Sequence, residues 1–104
     1  MADPIRMRIA LEGEVAVVKV LMPHPMETGL RKDAVSGELV PMHYISHVVV
    51  NHNGRPVLDA RTSRSVSRNP FLELRITGAR SGDRVGVRWE DNRGDSNSLE
   101  TVIK

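Results

Sequence analysis

A chain of 104 residues is long enough to bury a core of its own, and residues 1–104 read as a single domain. It has no cysteine, which excludes disulfides, thiolate metal sites and covalent chemistry through its own sulfur. Fifteen basic and 13 acidic side chains leave a formal charge of +2, too small to argue for nucleic acid, and Tyr44, Phe71 and Trp89 offer little for base stacking. Arginine outnumbers lysine 12 to 3, which favours bidentate contact with carboxylates and oxyanions. The opening Met-Ala-Asp-Pro-Ile-Arg-Met-Arg carries no apolar signal region, and no stretch approaches transmembrane length. Taken alone, these features predict a soluble cytoplasmic protein.

The chain then reads as short alternating strands. Ile5, Met7, Ile9 and Leu11 alternate with Arg6, Arg8, Ala10 and Glu12, the pattern of a half-buried strand. After a turn at Glu12-Gly13, Glu14 to Met22 places Ala16, Val18, Val20 and Met22 on one face. Val15, Val17, Lys19 and Leu21 make the other face largely apolar too. A strand of that kind is either central in its sheet or covered by something outside the domain. Tyr44 to His52 is the third strand, and Asn53-Gly54 is a strong two-residue hairpin signal. Pro56 to Thr62 returns, its proline suggesting an edge or a strand entrance.

A polar connector, Ser63 to Asn69, leads to Leu72, Leu74 and Ile76 alternating with Glu73, Arg75 and Thr77. The chain turns at residues 78–83. Val85, Val87 and Trp89 follow at alternate positions, with Trp89 as the core aromatic. It turns again at residues 91–95, and Leu99 to Ile103 closes the series. Seven strands with frequent turns and no helical period predict an all-β, immunoglobulin-like antiparallel β-sandwich, with a small Greek-key barrel as the second choice.

One stretch breaks the pattern. Pro23 and Pro25 bracket His24, so neither helix nor sheet ladder fits there. With Gly29, the charged exit Arg31-Lys32-Asp33, and residues 34–41, it makes a connection of nearly twenty residues. Loops of that length in a compact domain are usually functional or disordered, and the proline bracket favours order. Two readings stand level. Either the prolines steer a crossover while Met26 plugs the end of the sandwich, or a preorganised loop presents Met26 and His24 to a partner protein.

Other chemistry is thin. His43 and His47 would pair on a helix, but in a strand they stand roughly 13 Å apart, so no metal or cofactor site is expected and the histidines read as polar surface residues. No Gly-x-Ser-x-Gly elbow or phosphate loop occurs, and Arg93-Gly94-Asp95 sits where turn residues are common. Arg64 and Arg68, with Arg80, Arg84 and Arg88, could face an anion. The plainer reading is a solvated face with salt bridges to Glu73 and Glu90.

The run from Leu21 to Asp33, Leu-Met-Pro-His-Pro-Met-Glu-Thr-Gly-Leu-Arg-Lys-Asp, resembles the signature loop of the SoxZ family, one half of the SoxYZ sulfur-carrier complex of bacterial thiosulfate oxidation. Ala2-Asp3-Pro4-Ile5-Arg6, His52-Asn53-Gly54, Ser67-Arg68-Asn69-Pro70, and Trp89 with residues 91–95 are similar to that family in the same order. The resemblance implies an immunoglobulin-like sandwich, neither enzyme nor cofactor binder, in a heterodimer with a SoxY-like subunit. There the SoxY cysteine, on a flexible glycine-rich C-terminal arm, carries sulfur intermediates between separate enzymes. It also implies a periplasmic location, reached by co-export with a partner bearing a twin-arginine signal, which displaces the cytoplasmic expectation.

On this reading, strand Glu14–Met22 and the loop His24–Asp33 form much of the partner surface. The residues involved are Val15, Val17, Met22, His24, Pro25, Met26, Glu27, Thr28, Arg31, Lys32 and Asp33. Arg64 and Arg68 are secondary candidates beside the anionic sulfur cargo. The alternative is an autonomous small anion-binding β-sandwich.

Overall fold

A computed structural model describes residues 4–27, 29–62 and 70–104. Its strands are β1 (Arg6–Glu12), β2 (Val15–Leu21), β3 (Ile45–His52), β4 (Arg55–Arg61), β5 (Phe71–Thr77), β6 (Arg84–Asp91) and β7 (Ser96–Val102). They form two antiparallel sheets, one ordered β1-β2-β5 and the other β4-β3-β6-β7. The two sheets remain separate, so the expected β-sandwich forms and the barrel alternative does not. Among the described residues there is no helix, and hence none long enough to cross a membrane.

Strand alternation builds the core directly. In register, Ile9 faces Val18 and Val18 faces Leu74, so Met7, Ile9 and Leu11, then Ala16, Val18 and Val20, then Leu72, Leu74 and Ile76 line one inner face. Val48 and Val50 of β3, with Val85, Val87 and Trp89 of β6, line the other. Trp89 is the largest fully buried side chain. Its indole N–H has no hydrogen-bond partner among the described residues, a cost that its burial has to offset.

The doubly apolar β2 owes its composition to its place between β1 and β5. On its outer face, Val17 is covered by its own sheet, flanked in register by Ala10 and Arg75, while Val15 and Leu21 stay partly exposed. Pro56 lies on the edge strand β4, where the ladder shifts register at Val50/Asn51, so the missing N–H disrupts little.

Most strand ends lie within one residue of the sequence reading, and two departures matter for the site. β6 runs one step further, through Asp91, and β7 starts at Ser96 rather than Leu99. Ser96-Asn97-Ser98 has weak strand propensity, but the rungs Glu90↔Ser96 and Trp89↔Asn97 form because the intervening turn is held by side chains.

The β3–β4 hairpin carries positive φ at both Asn53 and Gly54, as a type I′ turn requires. A Cβ at Gly54 would touch nothing, so a substitution there tests backbone conformation alone. Gly54→Ala should lower stability by about 1–2 kcal/mol in urea unfolding, with an unchanged slope.

Candidate functional site

The site begins with a parity argument. Val85, Val87 and Trp89 point inward, and one further step along β6 puts Asp91 inward as well. A carboxylate in that position must find donors or lose its charge. Asp91 finds four. Oδ1 accepts the backbone N–H groups of Arg93 and Asp95, both at 2.9 Å. Oδ2 accepts Nε2–H from His43 at 2.8 Å and from His24 at 3.1 Å. Burial pushes its pKa up, but the hydrogen bonds from the two histidines and the two amides outweigh burial and hold it at about 2.

His24 comes from the proline-bracketed loop, 67 positions away from Asp91, and is only 4% exposed. Its ring meets Trp89 edge-on at 5.1 Å and His43 at 4.4 Å. Its partners fix its tautomer. Asp91 can only accept, so Nε2 carries the proton; the Met26 N–H points at Nδ1 at 3.3 Å, so Nδ1 is bare. His24 is therefore neutral, and its pKa is lowered, first by burial and then by the neighbouring His43, against the raising effect of Asp91.

His24, His43 and Asp91 place three donor atoms within 4.8 Å of one another, a spacing that a metal ion could use. The proton arrangement argues otherwise. A metal on His24 Nε2 normally leaves Nδ1–H to donate to a second partner, whereas here Nδ1 faces a donor. The cluster serves as a hydrogen-bonded lock between the loop and β6.

The rest of the loop hangs from this lock. Met26 is buried with φ +51, a conformation that a bulky side chain adopts only when its surroundings impose it. Its Sδ accepts the Ile45 N–H at 3.3 Å. Glu27 and His43 form a bridge across the loop's neck, and the Glu27 carboxylate grips Arg31 through two bonds, at 2.8 and 3.0 Å. From the other side, Asn92 and Arg93 donate to the Met42 carbonyl, Arg93 also reaches the Pro41 carbonyl, and Tyr44 N–H donates to Asn92. Arg93 is thus committed to holding the loop, while Gly94 and Asp95 bond back to Asp91 within the turn.

Beyond the neck, residues 31–40 fold back as a short finger. Val40 N–H bonds Arg31 O, Lys32 bridges Leu39, and Asp33 N–H bonds Glu38 O. Asp33 Oδ1 closes the tip by accepting the amides of Val35 and Ser36. Gly29, at φ +84, lets the strand of the finger pass Met42, where a Cβ would approach Cγ to 3.2 Å. Leu30, Val35, Leu39 and Met42 remain exposed, Val35 at 98%.

The expected surface residues therefore divide. Met22, His24, Met26 and Val17 are buried, which accords with Met26 plugging the end of the sandwich; Val15 and Glu27 are half-buried; Pro25, Arg31, Lys32 and Asp33 are exposed. Thr28, Arg64 and Arg68 lie outside the described residues. The reading of the histidines as surface residues is corrected. His24 is buried, the others are half-buried, and each of the four holds an aspartate: His24 and His43 hold Asp91, His47 holds Asp59 and His52 holds Asp83. Of the expected ion pairs, Arg88–Glu90 forms at 3.1 Å. Asp91 was missed because it was assigned to the turn; extending the alternation of Val85-Val87-Trp89 by one step would have found it.

A family model described as "Sulphur oxidation protein SoxZ" matches residues 5–102, which include the lock and the finger. The chain belongs to the SoxZ family. No curated protein matches it. SoxZ membership gives it a role in the Sox sulfur-oxidation system, among that system's other proteins.

The SoxZ lock makes stability depend on pH in two stages. His24, with its pKa lowered in the fold, stabilises fully above its ordinary value of 6.5, and this contribution is lost as pH falls below that. Asp91 stabilises fully above 3.8, and its contribution is lost as pH falls toward about 2. Urea midpoints should therefore drop in two steps on acidification, and His24→Gln should remove the first. Asp91→Asn turns an amide donor toward existing donors and should cost about 2–4 kcal/mol at pH 7.

Proposed function

We propose that this SoxZ-family chain is the non-catalytic subunit of a heterodimer with a SoxY-like sulfur carrier, and that the finger is its principal contact surface. One observation carries the reading. An exposed finger, with large apolar side chains at Val35 and Leu39 and at the flanking Leu30 and Met42, is anchored at its root by the His24–Asp91–His43 lock. Clustered exposed apolar side chains mark interaction surfaces, and a preorganised one loses little entropy on binding.

Arg31, Lys32 and Asp33 supply a polar rim around Leu30, Val35 and Leu39. Met22, His24 and Met26 act from beneath, holding the loop's shape rather than touching the partner. Pro25 stays accessible for contact at the base of the same loop, and Val15 is partly accessible at the opposite end of β2. On this reading the partner's cysteine arm carries the sulfur intermediates while this subunit supports and positions it. The complex works in the periplasm, exported with a partner that bears a twin-arginine signal. An autonomous anion-binding domain built on Arg64 and Arg68 has no observation in its favour, because both lie outside the described residues.

Co-expression with a tagged SoxY-like subunit, followed by native mass spectrometry, tests the assignment. The wild-type chain should give a one-to-one complex with sulfur adducts on the partner alone. Val35→Glu combined with Leu39→Glu changes exposed positions and should leave the fold intact while weakening the complex at least tenfold. An undiminished complex would move the interface off the finger; no complex with the wild-type chain would overturn the heterodimer reading.

A further inference from the structure

The cations of this molecule are not all treated alike. Arg88 pairs with Glu90, Arg31 with Glu27, and Arg93 is spent on carbonyls of the loop. Several others form no ion pair among the described residues, and some of these share the outer face of the three-stranded sheet. There Arg8 stands directly opposite Lys19 in the β1–β2 register, and Arg6 lies two residues before Arg8 on the same face. Like charges directly opposite one another destabilise a sheet. Among the described residues, no acid lies within ion-pair distance of Arg6, Arg8 or Lys19, although Glu73 of β5 stands directly opposite Lys19 in the register.

The same register puts two apolar side chains beside these cations. Leu21 pairs with Arg6 on one side and with Phe71 on the other. Phe71 is 61% exposed on that outer face. Together Arg6, Arg8, Lys19, Leu21 and Phe71 line a groove of about 290 Å³. Its lining thus combines an aromatic ring and a leucine with basic residues, whose aliphatic stems can cover apolar surface while their charged heads stay in water.

We propose that this groove is a docking site for an acidic segment of a partner protein, one that inserts an aromatic or large aliphatic side chain against Phe71 and Leu21. Charge complementarity selects the acidic segment, since its carboxylates would relieve the repulsion between Arg8 and Lys19 and would meet arginine forks suited to them. The apolar sides select a peptide over a small inorganic anion, which stays hydrated and gains nothing from a phenyl ring. An exposed aromatic flanked by arginines is also the composition of an interface centre rather than of ordinary surface. The groove does not depend on the heterodimer reading. It lies on the outer sheet face, not on the finger, and it can be tested on this chain alone.

The experiment is a titration of the ¹⁵N-labelled full chain with the capped peptide Glu-Glu-Phe-Glu-Glu, followed by amide shifts at 50 mM salt. Saturable shifts should cluster on residues 6–8, 19–21 and 71. Affinity should fall several-fold at 200 mM salt as the charges are screened. The peptide Glu-Glu-Ala-Glu-Glu, and the variant Phe71→Ala with the original peptide, should each bind at least fivefold more weakly. Arg8→Gln combined with Lys19→Gln changes only exposed heads and should lose at least tenfold. Absent or scattered shifts would overturn the proposal, as would affinity unaffected by those variants. Equal saturation by sodium sulfate would reduce the groove to a small-anion site, and binding to phosphatidylserine vesicles without a peptide response would make it a lipid surface; either result contradicts the proposal.

Discussion

A carboxylate at a core-facing position of a strand has to be satisfied completely, and the way Asp91 is satisfied shapes one end of this molecule. Two of its four donors are backbone amides of the β6–β7 turn, which fixes that turn and starts β7 immediately after it. The other two are imidazoles arriving from opposite ends of the long β2–β3 connection. A single buried charge therefore ties three segments together. Removing any one donor would leave the rest of the network holding a partly unsatisfied charge, so the segments are energetically coupled rather than merely adjacent.

The loop's order follows from this coupling. Long connections normally sample many conformations, but here the entry is held by His24 and Met26 and the return by His43, Asn92 and Arg93. Left-handed Met26 is tolerated because it brings its amide to His24 and its sulfur to Ile45 at the same time. The finger beyond the neck inherits a fixed root. Buried chemistry and exposed apolar surface thus divide the work: the histidines and the methionine set the shape, and Leu30, Val35, Leu39 and Met42 meet solvent.

Much of this was legible in residue order because a strand's parity is local. The alternation at Met7–Leu11, Leu72–Ile76 and Val85–Trp89 names the inner faces, and Asn53-Gly54 names the hairpin. Val17 was the ambiguous case, since an apolar residue on an outer face can mean a central strand or a covered surface. Only the pairing order, with β2 between β1 and β5, accounts for it. The lock was not legible. Its members are separated by up to 67 positions, and no spacing rule links a histidine between two prolines to an aspartate at the end of β6. The special character of the loop could be seen, but not that its histidine faces inward.

The central claim is that His24 is a neutral, buried donor whose tautomer is set by Asp91 and the Met26 amide. Long-range ¹H–¹⁵N spectra of the histidine side chains at pH 7 read this directly. The account predicts a proton on Nε2 and a bare Nδ1 for His24, with both resonances narrow. A proton on Nδ1, a doubly protonated ring at pH 7, or rapid exchange between tautomers would contradict the lock and with it the rigid root of the finger.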